Sequence, residues 1–254
     1  MSIKIRNTIL GEGIPKICVP IVGNTLDEII KSANKIKEST FDIIEWRADF
    51  FEEVFDLNCV KNVINALRDI LEDAPILFTF RTKAEGGNCE ISSDEYASLL
   101  SFVSANASVD LIDIEVFFEA IDAKSIINIA HASHKTVIGS NHNFSSTPTK
   151  ADIISRLNAM LDLGVDIPKI AVMPNSSADV ITLLDATEEF ASSHKDTPII
   201  TMSMSGTGLV SRLCGEVFGS AMTFGAVGQT SAPGQIDAKD LSTVLNIIHS
   251  NMNS

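Results

Sequence analysis

The sequence is short of positive charge: 19 Lys and Arg stand against 33 Asp and Glu, a formal net charge of −14, and no basic run relieves it. That balance argues against nucleic acid and an anionic membrane as partners and points to a small molecule. Long apolar runs are also missing. None approaches the ~20 residues a membrane helix needs, and "MSIKIRNTILGEG" lacks the apolar stretch and cleavage site of a secretory signal. A cytoplasmic protein is expected. The cysteines are few and scattered: Cys18, Cys59, Cys89 and Cys214 form no C-x-x-C pair and have no histidine at ligand spacing. Reduced thiols follow, without a metal site. Nor does a glycine-rich fingerprint follow the first apolar run, where "VGNT" stands instead.

Apolar residues make up 45% of the 254 positions, enough for one sizeable core. They fall into a regular alternation. After a short strand or hairpin in residues 1–13, strands are predicted over 14–22, 42–50, 75–82, 110–116, 135–144, 166–174, 198–205 and 221–228. Helices are predicted over 24–39, 59–71, 92–105, 119–133, 149–164, 176–192, 208–218 and 237–250. Thr25-x-x-Glu28 and Ser92-x-x-Glu95 read as capping boxes, and Gly164 as a C-cap. Eight such units over residues 1–254 match a single-domain (β/α)8 TIM barrel, whose active sites lie at the C-terminal ends of the strands. A doubly wound open sheet is the rival.

One strand carries an oddity. In "DIPKIAVMP" a single cation, Lys169, sits among Ile, Ala, Val and Met. A buried ammonium costs several kcal/mol unless paired or deprotonated, so Lys169 is either a rim or salt-bridged lysine or an amine nucleophile toward carbonyls. Other polar groups gather near the same strand ends. Period-two spacing puts Glu45 with Arg47 on one face, and Asp113 with Glu115 on another. Arg81 ends the third strand with Glu85 after it, His142 ends the fifth, Arg212 follows the seventh, and "GQTSAPGQ" after the eighth holds Ser231 and Gln235. Singly, the arginines read as rim salt bridges and His142 as a hydrogen-bonded loop residue. Together at one rim they suit a carbonyl substrate bearing a carboxylate.

"EWRAD", "FTFRTKAEGG", "IGSNHNF", "PKIAVMP", "MSMSGTGLVSR" and "SAPGQ" occur in this order along the chain. In this the sequence resembles the type I 3-dehydroquinate dehydratases over essentially its full length. The resemblance implies a (β/α)8 barrel, a homodimer, no metal and no organic cofactor. It also implies a hydro-lyase of the shikimate pathway, leading to chorismate and the aromatic amino acids, that removes water from 3-dehydroquinate to give 3-dehydroshikimate. By the same resemblance Lys169 forms the Schiff base, His142 moves protons and Glu85 orients His142. Arg212, Ser231 and Gln235 would hold the carboxylate, and Glu45, Arg47 and Arg81 the ring hydroxyls. A class I Schiff-base aldolase on the same barrel is the enzymatic alternative, and a barrel that merely binds a carboxylated acid the non-enzymatic one.

Overall fold

Period-two alternation decides the architecture, because each barrel strand buries both faces: one against the barrel interior, the other against helices. The computed structural model describes residues 2–228 and 232–252. An antiparallel hairpin, β1 (Ile3–Ile5) and β2 (Thr8–Leu10), comes first. Eight parallel strands follow: β3 (Lys16–Ile21), β4 (Ile43–Arg47), β5 (Ile76–Thr79), β6 (Leu111–Glu115), β7 (Thr136–Asn143), β8 (Ile167–Val172), β9 (Ile200–Ser203) and β10 (Met222–Phe224). Each hydrogen-bonds to the next, and β10 returns to β3 with Met222 opposite Lys16. Between β9 and β10 the ladder thins to one bridge, Ile199 to Ser220, so the barrel is nearly closed. There the Ala221 N–H donates to the Ile199 carbonyl at 2.8 Å, and Ser220 Oγ accepts the Thr201 N–H at 3.0 Å.

The helices are α1 (Leu26–Lys37), α2 (Leu57–Leu71), α3 (Ser93–Asn106), α4 (Ala123–Ala132), α5 (Lys150–Leu163), α6 (Ser177–Ser193), α7 (Leu209–Leu213), α8 (Gly215–Phe218) and α9 (Ala238–Met252). Among the described residues no helix is long and apolar enough to cross a membrane. Local chemistry sets their ends. Ser92 and Glu95 close a full capping box on α3, and Gly164 ends α5 at φ 95°, a left-handed turn that favours glycine. At α1 the expected box is altered: Thr25 caps Glu28 N–H, but the Glu28 carboxylate reaches past it to the Asn24 N–H at 2.8 Å. Two predicted helices differ. The fourth starts at Ala123 rather than 119, behind an Asp122 cap, because Ala120 adopts a positive φ of 60°. The 208–218 segment breaks at Cys214 into α7 and α8.

Two apolar layers result. Outward-facing residues such as Ile44, Trp46, Phe78, Ile112 and Val137 pack under the helices. Inward-facing Cys18, Ile43, Leu77, Leu111, Ile138, Ile167, Ile200 and Met222 fill the barrel interior. Ile5 and Leu10 of the hairpin join that inner cluster, so the hairpin plugs the N-terminal end and leaves the opposite mouth as the way in. Leu10 is wholly buried. Leu10→Ala should therefore cost about 2–5 kcal/mol, the range for emptying a Leu-sized core site, and lower the urea midpoint accordingly. An unchanged midpoint would show that the plug does not support the barrel.

Candidate active site

Followed upward from the apolar floor, the inward-facing positions turn polar. Ile43 gives way to Glu45 and Arg47, Leu77 to Thr79 and then Arg81, Leu111 to Asp113 and Glu115, Ile138 to Ser140 and His142, and Ile167 to Lys169. All but His142, which is half-buried, lie out of water. Register brings them level: Ser140 pairs with Lys169 across β7 and β8, and Glu115 with Ser140 across β6 and β7. The charges are held by mutual pairing, as buried ions must be.

Asp113 is the centre of the network. Its Oδ2 accepts Lys169 Nζ at 2.9 Å, and its Oδ1 accepts Arg81 Nη2 at 2.8 Å and the Ser140 hydroxyl at 2.5 Å. Burial would raise this carboxyl, but the Arg81 and Lys169 cations outweigh it and hold Asp113 at about 2. Arg81 Nη1 donates in addition to Glu115 Oε1 at 2.8 Å and Ser140 Oγ at 2.9 Å. Burial works against the guanidinium, and the surrounding carboxylates Asp113, Glu115 and Glu85 reverse that effect. Lys169 Nζ also lies 4.8 Å over the Phe224 ring, a face attractive to a cation. Glu45 accepts the Thr79 hydroxyl at 2.8 Å, and Arg47 pairs twice with Asp49, at 2.7 and 2.8 Å.

The second grouping is built on the turn after β5. Residues Lys83–Glu85 form a short 3-10 turn followed by two glycines. A Cβ at Gly87 would lie 1.8 Å from the Arg81 carbonyl oxygen, and one at Gly86 (φ 84°) 2.3 Å from the Phe144 ring, so no side chain fits at either position. This tight return lays Glu85 across the end of β7. Its Oε2 accepts the His142 backbone N–H at 2.9 Å and faces His142 Nδ1 at 2.7 Å, while Oε1 accepts Asn141 Nδ2 at 2.9 Å. Burial, helped by the cations Arg81, Lys169 and Arg47, pushes the His142 imidazole well below its ordinary range. The imidazole is therefore neutral, with Nδ1 directed at the carboxylate.

Arg212 differs from Arg81. It is buried, donating Nη2 to the Pro233 carbonyl at 3.1 Å and Nη1 to Met202 Sδ at 3.6 Å, and its Nε has no partner among the described residues. Burial lowers it to about 10, as expected of a guanidinium whose pairing is incomplete. Arg212 and Gln235 line the same pocket as Glu45, Arg47, Arg81, Glu85, His142 and Lys169, with Phe144, Met202, Met204 and Phe224 between them. Ser231 lies outside the described residues. Asp49, Ser140, Asn141 and Phe224 were not singled out by the sequence reading. Asp49 stands inside "EWRAD" and Asn141 beside His142, so their motifs were the available signal.

The depressed imidazole has a sign that can be checked. The unfolded chain takes up this proton near the ordinary ~6.5, and the folded one only well below it, so His142 costs stability as pH falls through that range. In 15N spectra of the ligand-free protein, His142 should remain a neutral imidazole at pH 6. An imidazolium there would contradict the assigned environment.

Both the sequence and the fold have known relatives. The sequence model described as type I 3-dehydroquinase matches residues 17–252. The 3-dehydroquinate dehydratase of Clostridioides difficile (strain 630) is 52% identical over 254 residues, covering 99% of each chain. That of Listeria innocua is 50% identical over 248 residues, covering 98% of each. A crystal structure of type I 3-dehydroquinate dehydratase from Clostridium difficile with covalently modified comenic acid superposes with a TM-score of 0.95 at 50% identity, covering 99% of both chains. The chain belongs to the type I 3-dehydroquinase family.

Proposed function

We propose that this protein is a hydro-lyase that removes water from 3-dehydroquinate, giving 3-dehydroshikimate, through an imine on Lys169. The observation that carries the reading is the position of Lys169 itself. Its amine is buried, restrained by Asp113 at 2.9 Å, and opens on the pocket that His142 and Arg212 also line. Before attack the ammonium must release a proton, and neutral His142 is the nearby base suited to take it.

The steps then balance. The Lys169 nitrogen adds to the ketone carbon, and the carbinolamine hydroxyl takes the proton held on His142 and leaves as water, giving a protonated imine with His142 neutral again. That imine draws electrons from the adjacent carbon, making its C–H acidic. His142 removes the proton at Nε2 while Nδ1–H remains on Glu85. The resulting enamine expels the hydroxyl on the carboxylate-bearing carbon, which leaves as water with the proton returned by the imidazolium. A second water hydrolyses the imine and frees Lys169. Binding uses the incompletely paired Arg212 for the carboxylate, with Gln235 beside it and Ser231 in the same loop. Glu45 and Arg47 face the ring hydroxyls. Arg81, whose Nη groups already serve Asp113, Glu115 and Ser140, supports the site more than it contacts substrate.

A Schiff-base aldolase would share the lysine, but the named relatives are dehydratases, and among the described residues no lysine besides Lys169 lines the pocket to favour a phosphate. The family resemblance further supports a cytoplasmic homodimer of the shikimate pathway, acting without metal or organic cofactor. The test is direct. Added 3-dehydroquinate should generate the ultraviolet absorbance of a conjugated enone. Arg212→Ala should weaken substrate binding by ~2–4 kcal/mol, as when a desolvated charge loses its partner. No absorbance change would refute the activity, and unaltered affinity in the variant would remove Arg212 from the carboxylate site.

A further inference from the structure

Glu85 is offered by the turn after β5 but is held from β7 and, behind it, from α5. Along β7, Ser140 and His142 face the barrel interior, so the intervening Asn141 leaves toward the helices. There Arg156 of α5 donates Nη1 to Asn141 Oδ1 at 2.5 Å, and Asn141 Nδ2 donates to Glu85 Oε1 at 2.9 Å. A carboxamide has nearly the same shape with its oxygen and nitrogen exchanged, so its neighbours decide which way it points. A guanidinium has no acceptor. Arg156 therefore takes the amide oxygen, leaving only Nδ2 to meet Glu85, and polarises the amide into a stronger donor.

We propose that Asn141 and Arg156 are positioning residues of the dehydration, a relay from α5 through β7 that turns the Glu85 carboxylate toward His142 Nδ1 and favours its ionised form. The inference rests on the reading of His142 as proton carrier. It is needed because the carboxylate stands in a contested field. Burial, and then the charge of Glu115, push Glu85 up to about 8, Asp113 adding to them while Arg81 and then the Asn141 hydrogen bond oppose. Arg81 lies 3.6 Å from Oε2, and the cations Lys169 and Arg47 face the His142 side of the pair. Once Glu85 takes a proton, Nδ1–H loses its acceptor. The ring is then free to adopt the other tautomer, whose Nε2–H cannot receive a proton from substrate. Loss of the relay thus raises the pH at which the pair first becomes protonated.

The relay is tested by the pH profile of kcat. Asn141→Asp keeps the side-chain shape and the Arg156 contact but replaces the donor with a second carboxylate facing Glu85, so the low-pH limb should move upward by more than about one unit, the lost hydrogen bond and the like-charge repulsion adding. Arg156→Met should move it in the same direction by less, and Arg156→Lys, which keeps a cationic donor, should fall between that variant and the parent. KM should change little, because the residues assigned to substrate contact are untouched. A fall in kcat that is equal at every pH, with no displaced limb, would overturn the relay. If Asn141→Asp does not fold, the two Arg156 variants decide by the same criterion. The 15N spectrum of ligand-free protein gives a reading that needs no turnover: Arg156→Met should show His142 mixing tautomers at a pH where the parent keeps Nδ1–H. Identical spectra would count against the relay even if the dehydratase reading stands, whereas a parent that does not dehydrate 3-dehydroquinate refutes that reading and leaves the spectral test intact.

Discussion

The contact on which the rest depends is the ion pair between Asp113 and Lys169 in the middle of the barrel. A carboxylate that is completely buried is tolerable only if its charge is met, and here Lys169, Arg81 and Ser140 meet it from three directions. Removing one partner from such a set typically costs ~3–5 kcal/mol, since the charge left behind remains buried. Lys169, the proposed nucleophile, is therefore placed by the same interaction that makes its burial possible. The chain can be acidic overall, at −14, and still present cations to an anionic ligand, because Arg47, Arg81, Lys169 and Arg212 line the pocket whereas Asp113 and Glu115 do not.

Two of the pocket's three buried arginines show how one residue type serves two purposes. Arg81 is satisfied: two carboxylates and a hydroxyl take its Nη groups, and it ties β5 to β6 and β7. Arg212 is satisfied only in part, by a carbonyl and a thioether sulfur, with its Nε unpartnered among the described residues. Burial without full pairing is unfavourable, which is the physical ground for proposing Arg212 as the partner of a substrate carboxylate. His142 and Glu85 form a third arrangement, in which burial and surrounding cations leave the imidazole neutral and therefore basic.

Much of this was legible because the period of a strand is two. Ile43-Glu45-Arg47 and Leu111-Asp113-Glu115 could be assigned to one face without coordinates, and the single cation in "PKIAVMP" announced Lys169. The alternation of strand and helix likewise gave the barrel, apart from details that local backbone chemistry decided: the late start of α4 and the break at Cys214. What sequence could not supply was partnership across distance. Nothing in "EWRAD" says that Arg47 pairs with Asp49 rather than with a ligand, and Asn141, facing the helices, carried no sign that Arg156 would meet it 15 positions later. Those facts arise only when β7 and α5 are packed together.

The most direct test of the account is covalent. Protein mixed with 3-dehydroquinate or 3-dehydroshikimate and reduced with borohydride should gain a ligand-derived mass, located by peptide mapping on the segment containing Lys169, and Lys169→Ala should gain none. A ligand-derived mass on Lys83 or Lys150 instead, or turnover persisting in Lys169→Ala, would contradict the imine at Lys169.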